Sequence, residues 1–240
     1  MIKVFALSKE INGQVILDNI NLDVKEGELL VVLGESGAGK SVFLKHLIGL
    51  FQPDRGRVEI NSVDISKLSE TELLGVRKRI GYLFQEGALY DFMNIYENLA
   101  FPLEEHTDLS EEQIDEKIKS ILGLVGLEGV EEKYPVELSG GMRKRAALAR
   151  AVILGSKILF CDEPTSGLDP IRSRDISDLI RDIARKLNCT TVVTSHDIQN
   201  SFRIADRLAL IHDGKLILTG TRKDFESSQN SFVKEFCREK

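Results

Sequence analysis

The segment Gly34-Glu35-Ser36-Gly37-Ala38-Gly39-Lys40-Ser41 decides the fold of this chain. It fits the pattern G-x-x-x-x-G-K-[ST], whose glycines let successive backbone N–H groups turn inward around phosphate oxygens. An apolar run at 29–33 precedes it and an amphipathic stretch at 42–50 follows it, as expected for a strand, a loop and a helix whose positive end faces the anion. In this pattern Lys40 bridges the β- and γ-phosphates and the Ser41 hydroxyl coordinates Mg²⁺. A chance glycine-rich turn is the alternative, and the flanking elements argue against it.

Composition is ordinary for a globular protein. The 240 residues are 42% hydrophobic and 29% charged, enough for one core or a core with a subdomain. A net charge of −6 argues against a dedicated nucleic-acid binder, because such proteins usually carry a basic excess. The chain lacks a run of about 18 apolar residues, and its start lacks the apolar stretch of a secretory signal. We therefore expect a cytosolic protein with reduced thiols and no nucleic-acid partner.

Short β-rich runs alternate with helical stretches, which predicts an α/β fold with a mainly parallel sheet flanked by helices. The predicted strands of this sheet are residues 29–33, 80–84, 158–161, 190–194 and 208–212, followed by an Asp213-Gly214 turn and a strand at 215–218. Near the N-terminus, β-like runs at 2–7 and 15–22 flank Asn12-Gly13. These two runs predict an N-terminal antiparallel β subdomain.

Strand signals are absent between residues 88 and 155, which we interpret as a helical subdomain inserted into the sheet domain. Ser110 and Gln113 form the ends of a capping-box pattern. Apolar residues then recur at helical spacing, at Ile114, Ile118, Ile121, Leu122 and Val125. We expect that stripe to pack in the core. The predicted organisation is one domain, 1–240, with a nucleotide-binding core at 1–87 and 156–240.

Polar residues end two of the predicted strands. Asp162 and Glu163 follow an apolar run, and Asp162 is well placed to hold Mg²⁺ directly or through water. Glu163, one residue on, faces differently and could polarise an attacking water. His196 follows a β-rich run, at the sheet edge where open α/β folds bind ligands. Its imidazole could donate to a γ-phosphate. Alone, each signal also fits an ordinary loop residue.

The run Leu138-Ser139-Gly140-Gly141-Met142 resembles the signature motif of the ABC ATPases. It stands in the order typical of that family, after the phosphate-binding loop and Gln85 and before the Asp162-Glu163 pair, Ser166-Gly167-Leu168-Asp169 and His196. The resemblance covers essentially the whole chain. It implies a P-loop NTPase (RecA-like) fold that binds ATP with Mg²⁺ and hydrolyses it.

The resemblance also assigns roles across a head-to-tail homodimer. It implies that Ser139, Gly140 and Gly141 donate hydrogen bonds to the γ-phosphate of ATP held by the opposite subunit, at a helix N-terminus suited to an anion. It implies that Asp169 lies in the loop that touches the partner's phosphate-binding loop. It further implies that Gln85 senses Mg²⁺ or water and transmits the nucleotide state to an integral membrane permease.

Two departures from the family pattern stand out. The aromatic residue that usually stacks on adenine is replaced by Ile11, which offers only an apolar contact. The Gln that usually follows the signature glycines is Met142. That residue and the segment 87–107 resemble the Mla-type (maintenance of lipid asymmetry) phospholipid transport ATPases of Gram-negative envelopes. Members of that branch work with an MCE-type lipid-binding protein, and some bind a STAS-domain subunit.

The sequence therefore predicts a peripheral ATPase on the cytoplasmic side of the inner membrane, with Glu163 as base and Lys40 stabilising charge. Three alternatives remain open. The first is an ABC ATPase outside transport, although those usually carry a coiled-coil insertion or tandem domains. The second is a transporter for another cargo, such as amino acids, metal ions or lipoproteins. The third is a small-molecule kinase, in which the signature residues would have no role.

Overall fold

Ten strands and nine α-helices follow one another along residues 2–238, the part of the chain that the computed structural model describes. The strands are β1 (Ile2–Ile11), β2 (Gln14–Val24), β3 (Leu29–Leu33), β4 (Arg55–Ile60), β5 (Val63–Asp64), β6 (Ile80–Leu83), β7 (Ile158–Cys161), β8 (Thr190–Ser195), β9 (Arg207–His212) and β10 (Lys215–Gly220). The helices are α1 (Lys40–Leu47), α2 (Glu70–Arg77), α3 (Ile95–His106), α4 (Glu111–Val125), α5 (Gly140–Val152), α6 (Pro170–Lys186), α7 (Ile198–Ile204), α8 (Arg222–Glu226) and α9 (Ser231–Arg238).

The larger sheet has six strands in the order β10-β9-β3-β8-β7-β6. All neighbours in it are parallel except β9 and β10, which form an antiparallel hairpin. The prediction of a mainly parallel sheet is confirmed, with strand ends displaced by one or two residues. Because parallel strands end at the same edge, the residues that follow β3, β6, β7 and β8 are brought together there.

A second sheet is antiparallel, with strand order β2-β1-β4-β5. The predicted pairing of the two N-terminal runs is confirmed, since Ile2 pairs with Val24 and Ile11 with Gln14. Strands β4 and β5 were absent from the prediction. The backbone of β4 comes so close to β1 that a Cβ on Gly56 would lie 2.2 Å from the Phe5 carbonyl oxygen.

Every regular element between residues 88 and 155 is helical: α3, α4, α5 and a 3₁₀ turn at Pro135–Glu137. The capping box at the start of α4 is present, with Ser110 Oγ accepting from the Gln113 amide. The predicted apolar stripe of α4 is buried in the core. The helical insertion is therefore confirmed as a feature of the fold, while residues 88 and 155 as its limits stay a proposal.

Strand β3 lies at the centre of the core. Its alternate residues contribute to two apolar clusters, with Leu29, Val31 and Leu33 in one and Leu30 and Val32 in the other. Burial on both faces explains why this strand is apolar throughout. It also fixes the position of the loop at 34–41, which follows directly.

Helix α1 is shorter than the predicted stretch 42–50. It begins at Lys40 and ends at Leu47. Gly49 has a left-handed φ of 67°, and the Leu50 amide bonds back to the Lys45 carbonyl at 2.9 Å. This is a common way to end a helix, because glycine adopts the left-handed conformation without a Cβ clash.

Within residues 2–238, none of the helices combines the length and apolar character needed to cross a bilayer.

Candidate functional site

The loop between β3 and α1 has glycine at two positions where a side chain would collide with neighbouring backbone. Gly39 has φ 97°, and a Cβ there would lie 2.8 Å from the Ile16 carbonyl oxygen. A Cβ on Gly34 would lie 2.5 Å from the Ile211 carbonyl oxygen. The loop can therefore wrap tightly before α1 begins, and the N-terminus of α1 faces the enclosed space.

Lys40, the first residue of α1, is 5% exposed and holds the loop from inside. Its Nζ donates to the carbonyl oxygens of Gly34 at 2.8 Å and Glu35 at 2.9 Å. The same Nζ lies 3.0 Å from Glu163 Oε1. A buried ammonium with these partners is a fixed positive charge, suited to an anion such as a phosphate.

Asp162, at the end of β7, accepts two hydrogen bonds on one oxygen. Ser41 Oγ and Thr194 Oγ1 each lie 2.8 Å from its Oδ1. The Tyr82 hydroxyl is 3.5 Å from Oδ2, and burial together with the Asp162 charge raises the pKa of Tyr82. A hydroxyl and a carboxylate side by side are hard oxygen ligands of the type that Mg²⁺ prefers, so these residues fit that ion together with nucleotide phosphates.

Glu163 has a left-handed backbone, with φ 43°, which is uncommon for a residue with a Cβ. Its amide donates to Thr194 Oγ1 at 2.9 Å. His196 Nδ1 lies 2.8 Å from Glu163 Oε2, where a carboxylate can only accept, so Nδ1 carries the proton of that bond. The two carboxylate oxygens of Glu163 therefore have separate partners, Lys40 on one side and His196 on the other.

These side chains surround one pocket of about 380 Å³. Its walls are formed by Ile16, Ser36, Gly37, Gly39, Lys40, Ser41, Val42, Gln85, Glu163, Ser166 and His196. Ile16 comes from β2 of the antiparallel sheet, and the other wall residues follow strands that end at the same edge of the parallel sheet. Asp162 is not among the wall residues, but it is connected to them by the hydrogen bond that it accepts from Ser41.

An adjoining pocket of about 260 Å³ shares Ile16, Ser36 and Gly37 with the first and is also lined by Glu35 and Ala38. Ile11, predicted to contact adenine, pairs with Gln14 at the tip of the β1–β2 hairpin. It is not among the residues that line either pocket, whereas Ile16 lines both. The role of Ile11 stays a prediction.

Three neighbours of the site were missed in the sequence: Thr194, Tyr82 and Ile16. Thr194 offered only a weak signal, a hydroxyl residue two positions before His196, since the pairing of its strand with the Asp162 strand is not visible in the sequence. Tyr82 and Ile16 carried no such signal, since they resemble ordinary strand residues.

The signature residues lie elsewhere on the surface. Ser139 is the N-cap of α5, with its Oγ accepting from the Met142 amide at 3.3 Å. Ser139 and Gly141 line a separate pocket of about 180 Å³. Asp169 is exposed and caps α6, accepting from the amides of Ile171 and Arg172. Neither Asp169 nor the signature residues line the pocket that contains Lys40.

Comparisons with known proteins agree on one family. A profile of the ABC transporter family matches residues 17–166. The chain is 42% identical to an intermembrane phospholipid transport ATP-binding protein, MlaF, of Haemophilus influenzae, over 99% of this chain and 90% of that protein. It is 41% identical to a methionine import ATP-binding protein, MetN, of Carboxydothermus hydrogenoformans, over 92% and 65% respectively.

Mycobacterial relatives are longer than this chain. The chain is 44% identical to a probable ribonucleotide transport ATP-binding protein, mkl, of Mycobacterium leprae, over 98% of its own length and 68% of the relative's. It spans 66% of the Mycobacterium tuberculosis counterpart.

Solved structures show the same architecture. A dimeric ATP-binding cassette in a post-hydrolysis state with ADP and Pi is 30% identical, with a TM-score of 0.84 over 92% of this chain and 98% of that one. The cbiO1 protein of Clostridium perfringens, part of the ABC transporter complex cbiONQ, is 29% identical, with a TM-score of 0.87 over 99% and 94%.

Proposed function

Because this chain belongs to the ABC transporter family and is an ATP hydrolase of that family, we propose that its active site is the pocket around Lys40, completed by a second copy. The observation that carries this proposal is the meeting of four strand ends at one pocket: the loop at 34–41, Gln85, the Asp162-Glu163 pair and His196. In this proposal the pocket contains the groups that bind a triphosphate and activate water. It lacks a group that contacts the γ-phosphate from the solvent side, which we call the outer clamp.

Different residues of this chain bind the phosphates, hold Mg²⁺ and activate water. Loop amides and Lys40 bind phosphate oxygens, and the positive end of α1 adds to that attraction. Ser41, Asp162 and Gln85 would hold Mg²⁺, which neutralises phosphate charge when bound. Glu163 orients water and accepts its proton, while His196 holds the Glu163 carboxylate through Oε2. Fixed positions of this kind lower the barrier mainly through orientation and electrostatics.

The missing outer clamp is supplied by Ser139, Gly140 and Gly141 of the second copy. These residues form a helix start in which Ser139 is exposed and the two glycines are half-buried. Its amides and dipole suit an anion, yet the residues lie outside their own chain's pocket. A head-to-tail pair would join each phosphate-binding loop to the partner's signature. The dimeric structure of a related cassette supports the association of two copies.

Mixing two inactive variants tests the pairing. Lys40→Ala damages the phosphate-binding loop, and Gly141→Asp places a carboxylate where the partner's γ-phosphate would lie. A Cβ on Gly141 meets its nearest neighbour, Arg172 Cδ, at 3.7 Å, and an acid is favourable at a helix start, so the second variant should fold. In a mixed dimer one site has both defects and the other has none.

We expect each variant alone to be nearly inactive and the mixture to recover up to about half of wild-type hydrolysis per mixed dimer. Colourimetric phosphate release at fixed total protein measures this. A double variant carrying both substitutions in one chain is the control, because mixing it with either parent leaves no intact site. An inactive mixture, with dimers present by light scattering, would contradict the head-to-tail arrangement.

We further propose that the subunit works on the cytoplasmic side of the inner membrane with a permease, an MCE-type protein and a STAS-domain subunit, and that the cargo is phospholipid. Similarity to MlaF over nearly the full length of both chains supports this, as do Met142 and the segment 87–107. A different cargo is the second candidate, favoured by relatives whose names refer to ribonucleotide or methionine transport.

Purification with the native membrane complex distinguishes the two candidates. We expect the affinity-tagged chain to copurify with a permease and an MCE-type protein, and lipid extracts analysed by mass spectrometry to contain stoichiometric phospholipid. The Glu163→Gln variant should enrich the nucleotide-bound complex. Copurification of a soluble amino-acid receptor, without an MCE-type protein, would contradict the lipid assignment and leave the ATPase assignment intact.

A further inference from the structure

The loop that carries Gln85 is held by the signature helix. This loop, residues 84–90, connects β6 to the segment before α3. Lys144 Nζ, on α5, donates to the Gln85 carbonyl oxygen. Arg150 Nη2, two turns further along α5, donates to the carbonyl oxygens of Gly87 at 3.2 Å and Ala88 at 2.7 Å. Three carbonyls of one short loop therefore accept from two cations of one helix.

Side-chain packing reinforces these bonds. Gly87 has φ 83°, and a Cβ there would lie 3.1 Å from the Ala147 Cβ, so the loop backbone lies directly on α5. Lys144, Ala147 and Arg150 are spaced three residues apart and therefore share one face of the helix. At the far end of the loop, Asn98 Oδ1 accepts from the Tyr90 amide at 2.8 Å and from Arg150 at 3.3 Å.

The two cations are poorly hydrated where they stand. Lys144 is 8% exposed, and burial lowers the pKa of both Lys144 and Arg150. Burying a cation costs free energy unless hydrogen bonds replace those it made to water. Displacement of the loop would therefore leave both cations and the loop carbonyl oxygens without their hydrogen-bond partners. The loop and α5 are therefore expected to keep their contact when either one moves.

The geometry points to Lys144 and Arg150 as positioning residues that couple the two nucleotide sites of the dimer. This inference rests on the proposed function. The helix that carries both cations is capped by Ser139, which in the proposed dimer faces the partner's nucleotide, whereas Gln85 lines the pocket of its own chain. When the signature of one copy closes on the partner's ATP, α5 moves, and its hydrogen bonds from Lys144 and Arg150 move the loop that contains Gln85 with it. Occupation of one site thereby sets Gln85 at the other, and hydrolysis rises cooperatively with ATP concentration.

Lys144→Met tests the coupling, because methionine keeps the length and apolar stem of lysine but cannot donate. Coupling between binding sites is typically about 5- to 150-fold. We expect kcat to fall about tenfold and the Hill coefficient for ATP to drop to about 1, while the affinity for a fluorescent ATP analogue changes less than about twofold. Lys144→Arg keeps a donor and should restore both kinetic quantities.

A double-mutant cycle with Gln85→Ala shows whether Lys144 acts through Gln85. The Gln85 carbonyl survives that substitution, so only the side chain is lost. We expect Lys144→Met to have no further effect on kcat in the Gln85→Ala background. Multiplicative losses of kcat in the double variant would overturn the inference.

Arg145→Met is the matched control on the same helix. Arg145 Nη1 donates to the Val125 carbonyl oxygen at 2.8 Å, within the helical segment and away from the Gln85 loop. Hydrogen exchange of residues 85–89, measured without nucleotide, should accelerate in Lys144→Met and stay unchanged in Arg145→Met. Equal acceleration in both variants, or an unchanged Hill coefficient in Lys144→Met, would overturn the coupling. Absence of ATP binding by the wild-type chain would instead remove the proposed function.

Discussion

Replacement of Glu163 by Gln is expected to leave ATP bound and to slow its hydrolysis by about 100- to 10,000-fold, the range typical for loss of a general base. The amide has the shape of the carboxylate but cannot accept the proton of water. Lys40 keeps its bonds to the Gly34 and Glu35 carbonyl oxygens, so the phosphate-binding loop should remain intact. Loss of a negative charge 3.0 Å from Lys40 also favours an anionic ligand.

Two measurements check this expectation. Single-turnover phosphate release gives the rate of hydrolysis, and light scattering with ATP shows whether the slow variant accumulates as a dimer. Glu132→Gln, at an exposed position, is the matched control and should behave as wild type. Hydrolysis by Glu163→Gln within about threefold of wild type would remove Glu163 from the role of base.

Replacement of Lys40 by Ala is expected to weaken nucleotide binding by at least about 100-fold, because it removes charge-assisted bonds worth about 1.5–3 kcal/mol each. It also leaves the Glu163 carboxylate buried without its cation, and breaking a buried pair in this way costs about 3–5 kcal/mol of folding free energy. Lost binding and lost stability must therefore be separated.

The double variant Lys40→Ala/Glu163→Gln separates them. Removing both charges relieves the unpaired carboxylate, so its melting temperature should recover toward that of wild type, whereas ADP binding by calorimetry should stay weak. Lys45→Ala removes a positive charge from the same helix outside the pocket and should bind ADP normally. Wild-type affinity in the Lys40→Ala variant would overturn the assignment of residues 34–41 to phosphate binding.

The parallel sheet could be predicted from sequence because its strands are short runs of apolar or β-branched residues that end in recognisable polar residues. β3, β7 and β8 were each predicted to within one residue for this reason. β4 was missed because Arg55-Gly56-Arg57 begins it, and its strand conformation comes from pairing with β1. The pattern of the isolated segment carries little of that long-range information.

For the candidate site, sequence order identified the residues but not their connections. The pairing of Lys40 with Glu163, and of Glu163 with His196, depends on which strands are neighbours in the sheet. Thr194 illustrates the limit, since its hydroxyl joins Asp162 to the Glu163 amide only because β8 lies beside β7. The sequence motifs identify the residues of the site, whereas the strand order determines which of those residues are in contact.

The strand order has a consequence for the synthesis of this protein. β8 lies between β3 and β7, so β3 has no native neighbour in the sheet, and β7 has only β6, until residues 190–195 have been made. Ser41 and Asp162, which share a hydrogen bond, are 121 positions apart in the chain. Such non-local pairing is slow to form, because loop closure must precede any favourable contact. A nascent chain on the ribosome is therefore not expected to hydrolyse nucleotide before β8, the last strand that contributes to the site, has been made and has entered the sheet.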